Sequence, residues 1–369
     1  MVFTCEKGVL SEAVMNVSRM VPSKSSVSAL EGIKIKASGD LLTLSGYDME
    51  AGITTSVEAN IETEGEIVLS ARLFSDMIRK MSDDFVRVSV DERYLTSITG
   101  GITEFTILGL PADEFPELPG VEAGDSFEIE QGTLKSMIDQ TLFAIATNDS
   151  KPVHMGSLFD LEDKSLSIVS VDGYRLAMRT EGLLNDKNLS FVVPGKVLSE
   201  LSKMLKEDDE NSAKLLVSSR HIVFNIGSYS IISRLLEGEF LAYKKSIPQQ
   251  PGSTTIISKR YFMDSIERAS LLISDRLRSP IRIIFDKNGM VKISCSTSIG
   301  KFYDEFPCKI DGETVEMGFN NRYLLDSLRA ADTDEVRVEI FGALSPIKIL
   351  PPDGEGYLFL VLPVRLKND

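Results

Sequence analysis

The residues that could carry catalysis are few and poorly placed. Two histidines, His154 and His221, are available to activate a nucleophile. Neither lies near a Ser or Cys in a Gly-x-Ser-x-Gly elbow, so each reads as a surface or packing residue. The phosphate-cradling patterns Gly-x-x-x-x-Gly-Lys-Ser/Thr and Gly-x-Gly-x-x-Gly are absent. The pairs Asp83-Asp84 and Asp208-Asp209 could in principle hold a cation, but they stand in turn-like stretches without further ligands. Three cysteines, Cys5, Cys295 and Cys308, form no Cys-x-x-Cys and make neither a disulfide framework nor a zinc knuckle. The expectation is a binding protein of a reducing cytoplasm, with no catalytic residue, metal or cofactor.

Charge narrows what is bound. Forty Lys and Arg against 55 Asp and Glu give a net charge of −15, which argues against tight sequence-independent binding of nucleic acid through a basic surface. The basic residues nevertheless favour helical stretches and their turns. Arg19 and Lys24 lie in the first third, Lys135 and Lys151 in the second, and Lys259, Arg260, Arg268, Arg276 and Arg278 in the last, against Asp264, Glu267 and Asp275. Singly these are ordinary solvated faces. Together, on similar domains turned the same way, they would give a weakly positive lining to a negative body.

The elements that must position these residues are repeated. Val193, Lys196, Val197, Leu198 and Glu200 align with Leu69, Arg72, Leu73, Phe74 and Asp76 at an offset of 124 residues, and with Phe319, Arg322, Tyr323, Leu324 and Asp326 at 126. Each copy reads as the end of a β-run, a tight turn and an amphipathic helix, whose basic and acidic residues four apart can pair. A second marker agrees: Phe3, Gly8, Leu10 and Val14 precede Phe127, Gly132, Leu134 and Ile138 by 124 residues, and Leu134 and Ile138 precede Phe262 and Ile266 by 128. The period is a domain long, too long for a solenoid.

Along the chain the pattern predicts helices over 5–20, 71–82, 131–146, 195–206 and 258–273, with strands between them, including 33–38, 41–47, 85–90, 165–171 and 175–180. Boundaries fall at 120–126 and in Ile247-Pro248-Gln249-Gln250-Pro251-Gly252-Ser253. The expected domains are 1–120, 127–248 and 253–369, each two helices against many strands, an α+β plan. The start lacks the pattern of a signal peptide and no run is long enough to span a membrane, so a soluble intracellular protein is expected.

Taken in order, Phe3-Thr4, Leu110-Pro111 with Phe115-Pro116, Val171-Asp172-Gly173-Tyr174-Arg175-Leu176-Ala177, Val193-Pro194, Gly318-Phe319-Asn320 and the ending Leu362-Pro363-Val364-Arg365-Leu366 give the chain an end-to-end resemblance to the bacterial DNA polymerase III beta subunits, the sliding clamps. The resemblance implies the clamp fold: three similar domains per chain, strands outside, helices lining a hole, and two chains joined head to tail around double-stranded DNA. It implies a non-catalytic tether for polymerase. A ring is held by topology, so an acidic exterior discourages sticking while a few inward cations permit sliding.

The same resemblance implies site residues. Lys24, Asn148 and Lys151 fall where the family's DNA-touching loops lie, although Pro152-Val153 replaces an expected aromatic pair. Phe105 and Ile107, with Leu271 and Leu272, match the apolar dimer contact. A groove for short peptides of the polymerase alpha subunit, the clamp loader and other clamp-binding proteins would be walled by His154, Val171, Gly173, Tyr174, Arg175 and Leu176, by Leu241, Lys245, Leu344 and Pro346, and by Leu360, Leu362, Pro363, Val364 and Arg365. Its ligand would lead with Gln and trail with Leu and Phe, with Arg175 and Arg365 fixing the polar end. His154 and Leu241 depart from an expected aliphatic residue and a proline. Period-two alternation puts Phe359 and Val361 in a core and Leu360, Leu362 and Val364 on the groove face. Two other classes stay open from the residues alone: a scaffold binding only proteins, and a hydrolase using scattered carboxylates.

Overall fold

The computed structural model describes every residue except 122, 149–150, 184–186, 209, 274–278 and 367–369. Asp209, Asp275, Arg276 and Arg278 therefore lie outside the described residues.

Each repeat opens with a strand that the sequence pattern did not mark, and in the first the expected helix over 5–20 took in its last two residues, Cys5 and Glu6. In β1 (Val2–Glu6) the buried side chains are Phe3 and Cys5, a period of two. From Lys7 the buried positions become Leu10, Ala13, Val14 and Val17, the spacing of a helix with one apolar stripe.

The first repeat continues as α1 (Lys7–Val17), β2 (Gly32–Ser38), β3 (Leu41–Tyr47), β4 (Ala51–Glu58), β5 (Asn60–Thr63), β6 (Gly65–Ser70), α2 (Ala71–Lys80), β7 (Phe85–Val90), β8 (Leu95–Gly100) and β9 (Thr103–Leu108). The second is β10 (Asp125–Glu130), α3 (Gln131–Thr141), β11 (Gly156–Glu162), β12 (Ser165–Val171), β13 (Arg175–Gly182), β14 (Leu189–Pro194), α4 (Gly195–Ser202), β15 (Ser212–Val217), β16 (His221–Ile226) and β17 (Tyr229–Arg234), with a short α5 (Tyr243–Ser246) in the link. The third is β18 (Ser253–Ser258), α6 (Lys259–Ser270), β19 (Ile281–Asp286), β20 (Met290–Thr297), β21 (Gly300–Pro307), β22 (Lys309–Gly312), β23 (Val315–Phe319), α7 (Asn321–Ala330), β24 (Glu335–Ile340), β25 (Ile347–Leu350) and β26 (Tyr357–Val361). The helices stop earlier than expected: α2 at Lys80, α4 at Ser202 and α6 at Ser270.

Register shows the repetition residue by residue. Phe3 pairs with Val88, Phe127 with Leu215 and Thr255 with Val338. On the other sheet of each repeat, Gly46 pairs with Ile53, Ser170 with Ala177 and Cys295 with Phe302.

The chain forms two compact units, and the second repeat contributes strands to each. Met1–Leu134 with Glu200–Leu235 holds a five-stranded sheet, β5-β1-β7-β8-β9, and an eight-stranded one, β10-β15-β16-β17-β4-β3-β2-β6. Lys135–Ser199 with Leu236–Asp369 holds a nine-stranded sheet, β14-β11-β12-β13-β26-β25-β24-β18-β22, and a four-stranded one, β21-β20-β19-β23. Each long sheet contains a seam where the last strand of one repeat joins the third-sheet-strand position of the repeat before it. At one seam Ile231 of β17 faces Ile53 of β4; at the other Phe359 of β26 faces Ala177 of β13. The equivalent strands β9 and β21 end their sheets as open edges.

The acidic residues of the expected four-apart pairs have further partners among the described residues. Asp76 meets Arg79, Glu200 meets Arg19 and Lys203, and Asp326 meets Arg175. An exposed helical pair contributes only about 0.3–0.5 kcal/mol, so a better-placed cation easily competes with it. The helical bias of positive charge is real: among the described residues, the six helices of eight residues or more carry eleven Lys and Arg against seven Asp and Glu, in a chain of net charge −15.

Candidate functional site

Strand β26 lies between β13 and β25, so both its edges are paired, and all five of its residues are buried. Tyr357, Phe359 and Val361 enter a core with Ile257, Phe262, Leu324 and Ile349. Leu358 and Leu360 enter a second cluster with Val153, Leu158, Val171, Leu176, Val192, Tyr243 and Leu350. The alternation was read correctly, but Leu360 is not an open wall: it is packed beneath the surface, directly opposite Leu176 in the ladder. Past the strand the chain emerges, leaving Leu362 41% and Val364 37% exposed.

Two backbone bonds fix that emerging segment. Leu362 N donates to Tyr174 O at 2.9 Å and Val364 N donates to Gly318 O at 2.9 Å. Gly318 permits the approach, because a Cβ there would stand 2.7 Å from both Val364 O and Leu366 Cδ2.

The turn between β12 and β13 forms the adjoining wall. Gly173 takes φ +86°, a left-handed conformation that a side chain would strain. Asp172 Oδ1 accepts from the backbone N–H of Tyr174 at 2.9 Å and of Arg175 at 3.0 Å, an Asx turn. The first repeat builds the same turn from Asp48 with Met49 at φ +76°. Tyr174 is 60% exposed and stacks on Tyr323, with ring centroids 5.9 Å apart.

Arg175 points into the protein. Its Nε donates to Asp172 Oδ2 at 2.9 Å and its Nη1 to Asp326 Oδ2 at 2.6 Å. The guanidinium carbon sits 4.7 Å from the Tyr323 ring centroid and 5.3 Å from that of Phe143. A guanidinium so engaged supports the turn, with two of its five N–H donors given to the carboxylates of Asp172 and Asp326.

His154 is buried in a 3₁₀ turn, Pro152–Met155, edge-on to Phe240 at 5.4 Å. The departure at Pro152-Val153 has a local reason: Pro152 starts this turn and Val153 fills the cluster beneath Leu360. Leu241 is exposed just before Tyr243, whose hydroxyl donates to Asp160 Oδ2 at 2.7 Å. Burial pushes the Tyr243 phenol well above its ordinary range and the bond to Asp160 adds to this. Lys244 pairs with Asp160 and Glu162, tying the link to β11.

Among the assigned residues, then, Val171, Leu176 and Leu360 share one buried cluster, while Tyr174, Leu241, Leu344, Leu362 and Val364 are exposed apolar side chains. Gly173, Lys245 and Arg365 are exposed, and Pro346 is half-buried before β25. The sequence reading missed Phe143, Asp160, Tyr323 and Asp326, which contact Arg175 or Tyr243; Asp326 carried a signal as a place that is acidic in every copy of the repeat, but not its partner.

Lys24, Asn148 and Lys151 are exposed in loops that follow α1 and α3. Phe105 and Ile107 alternate with exposed neighbours on the open edge β9. Leu272 packs on a core while Leu271 is 82% exposed. More apolar side chains stand exposed in the two edge regions: Leu95, Ile102 and Leu108 in one, Ile299 and Tyr303 in the other. Among the described residues no helix is long and apolar enough to cross a membrane, and no three His, Cys, Asp or Glu converge as metal ligands.

Comparison with known proteins agrees with this plan across the whole chain. Residues 1–119, 128–241 and 244–365 match the models of the N-terminal, central and C-terminal domains of the DNA polymerase III beta subunit. The beta sliding clamp of Bacillus subtilis is 33% identical over 99% of this chain and all of its own. That of Staphylococcus aureus is 31% identical over 99% of each. Among solved structures, a Bacillus subtilis DNA polymerase sliding clamp superposes with a TM-score of 0.95 at 33% identity, covering 100% of both chains. A putative DNA polymerase III beta subunit from Eubacterium rectale gives 0.94 at 33%, covering 99% of this chain and 100% of its own. The repeated architecture and these full-length matches together place the chain in the family of bacterial DNA polymerase III beta subunits, the non-catalytic sliding clamps that serve as processivity factors in DNA replication.

Proposed function

We propose that this clamp closes as a head-to-tail homodimer around duplex DNA and, in the cytoplasm, tethers the polymerase alpha subunit, clamp-loader subunits and other proteins through a peptide groove. The domains of this reading are 1–120, 127–248 and 253–369. Phe105 and Ile107 of one copy meet the Leu271–Leu272 region of the other, and Lys24, Asn148 and Lys151 touch phosphates loosely. The helical cations support a lining that lets the ring slide, and the overall negative charge limits sticking.

The observation that carries the groove is the exposed apolar set at the end of β26. Leu362 and Val364 follow a strand locked between two cores, Leu362 bonded to the backbone of Tyr174, a fixed apolar surface of the kind that receives anchor side chains. A related clamp, that of Pseudomonas aeruginosa, has been solved bound to griselimycin. The test is Leu362→Asp, which leaves both cores intact. Calorimetry should show loss of a peptide that begins with Gln and ends in Leu and Phe; unchanged affinity would refute the groove.

A further inference from the structure

We propose that Asp326 is a positioning residue for the groove, acting through Arg175 and not through the bound peptide. The proposal rests on the reading of that groove as the partner site. Asp326 lies on α7, whose buried side chains are Leu324, Leu325, Ser327 and Leu328, so it projects from the flank of the apolar face. Its homologous positions, Asp76 and Glu200, both take a cation three residues on, Arg79 and Lys203. Asp326 instead reaches 151 residues back in sequence to Arg175.

Charge balance alone does not account for this contact. The Arg175 side chain is 10% exposed and Asp172, 13% exposed, already neutralises it through Nε. A second carboxylate makes the trio net negative, which costs desolvation unless its geometry is used. What it does is fix the remaining side of the guanidinium. Asp172 holds Nε, Asp326 holds Nη1, and Tyr323 and Phe143 flank the plane. The plane in turn sets the backbone of Arg175, which follows Tyr174 in the turn and pairs with Val361 across the ladder. Tyr174 O receives Leu362 N, so the same turn also sets where Leu362 emerges. Removing Asp326 leaves Arg175 one partner short and free to rotate about Asp172, loosening the wall that carries Tyr174 and Leu362.

The experiment measures binding of the Gln-leading, Leu-Phe-ending peptide to the full-length chain by calorimetry. Asp326→Ala should weaken binding about tenfold, equivalent to ~1.4 kcal/mol. Asp326→Asn, which retains an acceptor for Nη1, should recover part of that loss. In an Arg175→Ala background, Asp326→Ala should change affinity by less than about twofold, because its route to the groove is gone. A merely structural role would not produce that coupling, and both variants should sediment as wild type. Wild-type affinity in Asp326→Ala, with loss in Leu362→Asp, overturns the Asp326 role alone. A full further loss in the Arg175→Ala background overturns it too. Retention of peptide by Leu362→Asp overturns the groove, and this proposal with it.

Discussion

Phe359 and Leu360, consecutive residues of β26, are buried in two different cores. One strand thus belongs to the interior of the third repeat and to a second cluster that would form the floor of the proposed groove. Truncating either should destabilise the fold, Phe359→Ala by roughly 3–5 kcal/mol and Leu360→Ala by roughly 2–5 kcal/mol. The two separate in binding: Leu360→Ala should also lower peptide affinity, whereas Phe359→Ala should leave it near wild type at a temperature where the variant is folded. Denaturant titration with parallel calorimetry checks both, and equal effects on affinity would contradict the two-sided role.

The open edges have a predicted register. Ladder partners make Phe105, Ile231 and Phe359 equivalent, and likewise Ile53, Ala177 and Phe302. Since Ile231 faces Ile53 and Phe359 faces Ala177, Phe105 of one copy should face Phe302 of another, and Thr106 should face Lys301. Directly opposed residues have Cα atoms about 4.5–5.5 Å apart, within disulfide range. Thr106→Cys with Lys301→Cys should therefore oxidise to a covalent dimer, visible on a non-reducing gel. A monomer after oxidation, or a better yield from a pair shifted by one residue, would count against this closure.

Glu200 gives a pH signature. Burial opposes its ionisation, but hydrogen bonds from Lys203 at 2.6 Å and Arg19 at 3.2 Å outweigh this and hold its carboxyl below the usual range. A lowered folded-state value stabilises fully above the unfolded-state range and is lost as pH falls through it. Glu200→Gln should cost about 0.5–1 kcal/mol near neutrality, the scale of a half-exposed pair. The gap from wild type should narrow as pH falls through the lowered folded-state value and close once Glu200 is protonated in both states. A gap that persists there would mean the loss is one of packing.

How far the sequence revealed this architecture depends on the range of each interaction. The repeat was legible because aligned positions such as Leu10, Leu134 and Phe262 must each fill a core, and burial constrains residue type. The opening strands were not, because β1 is five residues long and its alternation runs straight into the first turn of α1. The floor of the groove was half legible: period two separated Phe359 from Leu360, but nothing local announces that Val153 and Tyr243 will cover Leu360. The bond from Arg175 to Asp326 was not legible for the same reason, since the two lie 151 residues apart. His154 could be assigned to the wall only by resemblance; nothing local in the sequence announces that Phe240 packs against it.

The central claim is that the protein is held on DNA by enclosure. Purified chain loaded onto nicked circular duplex by a clamp loader with ATP should stay bound through gel filtration, even at salt that strips a phosphate-gripping protein. Cutting the same circle once should release it. Retention on the linear form, or loss from the intact circle at the same rate, would contradict the account.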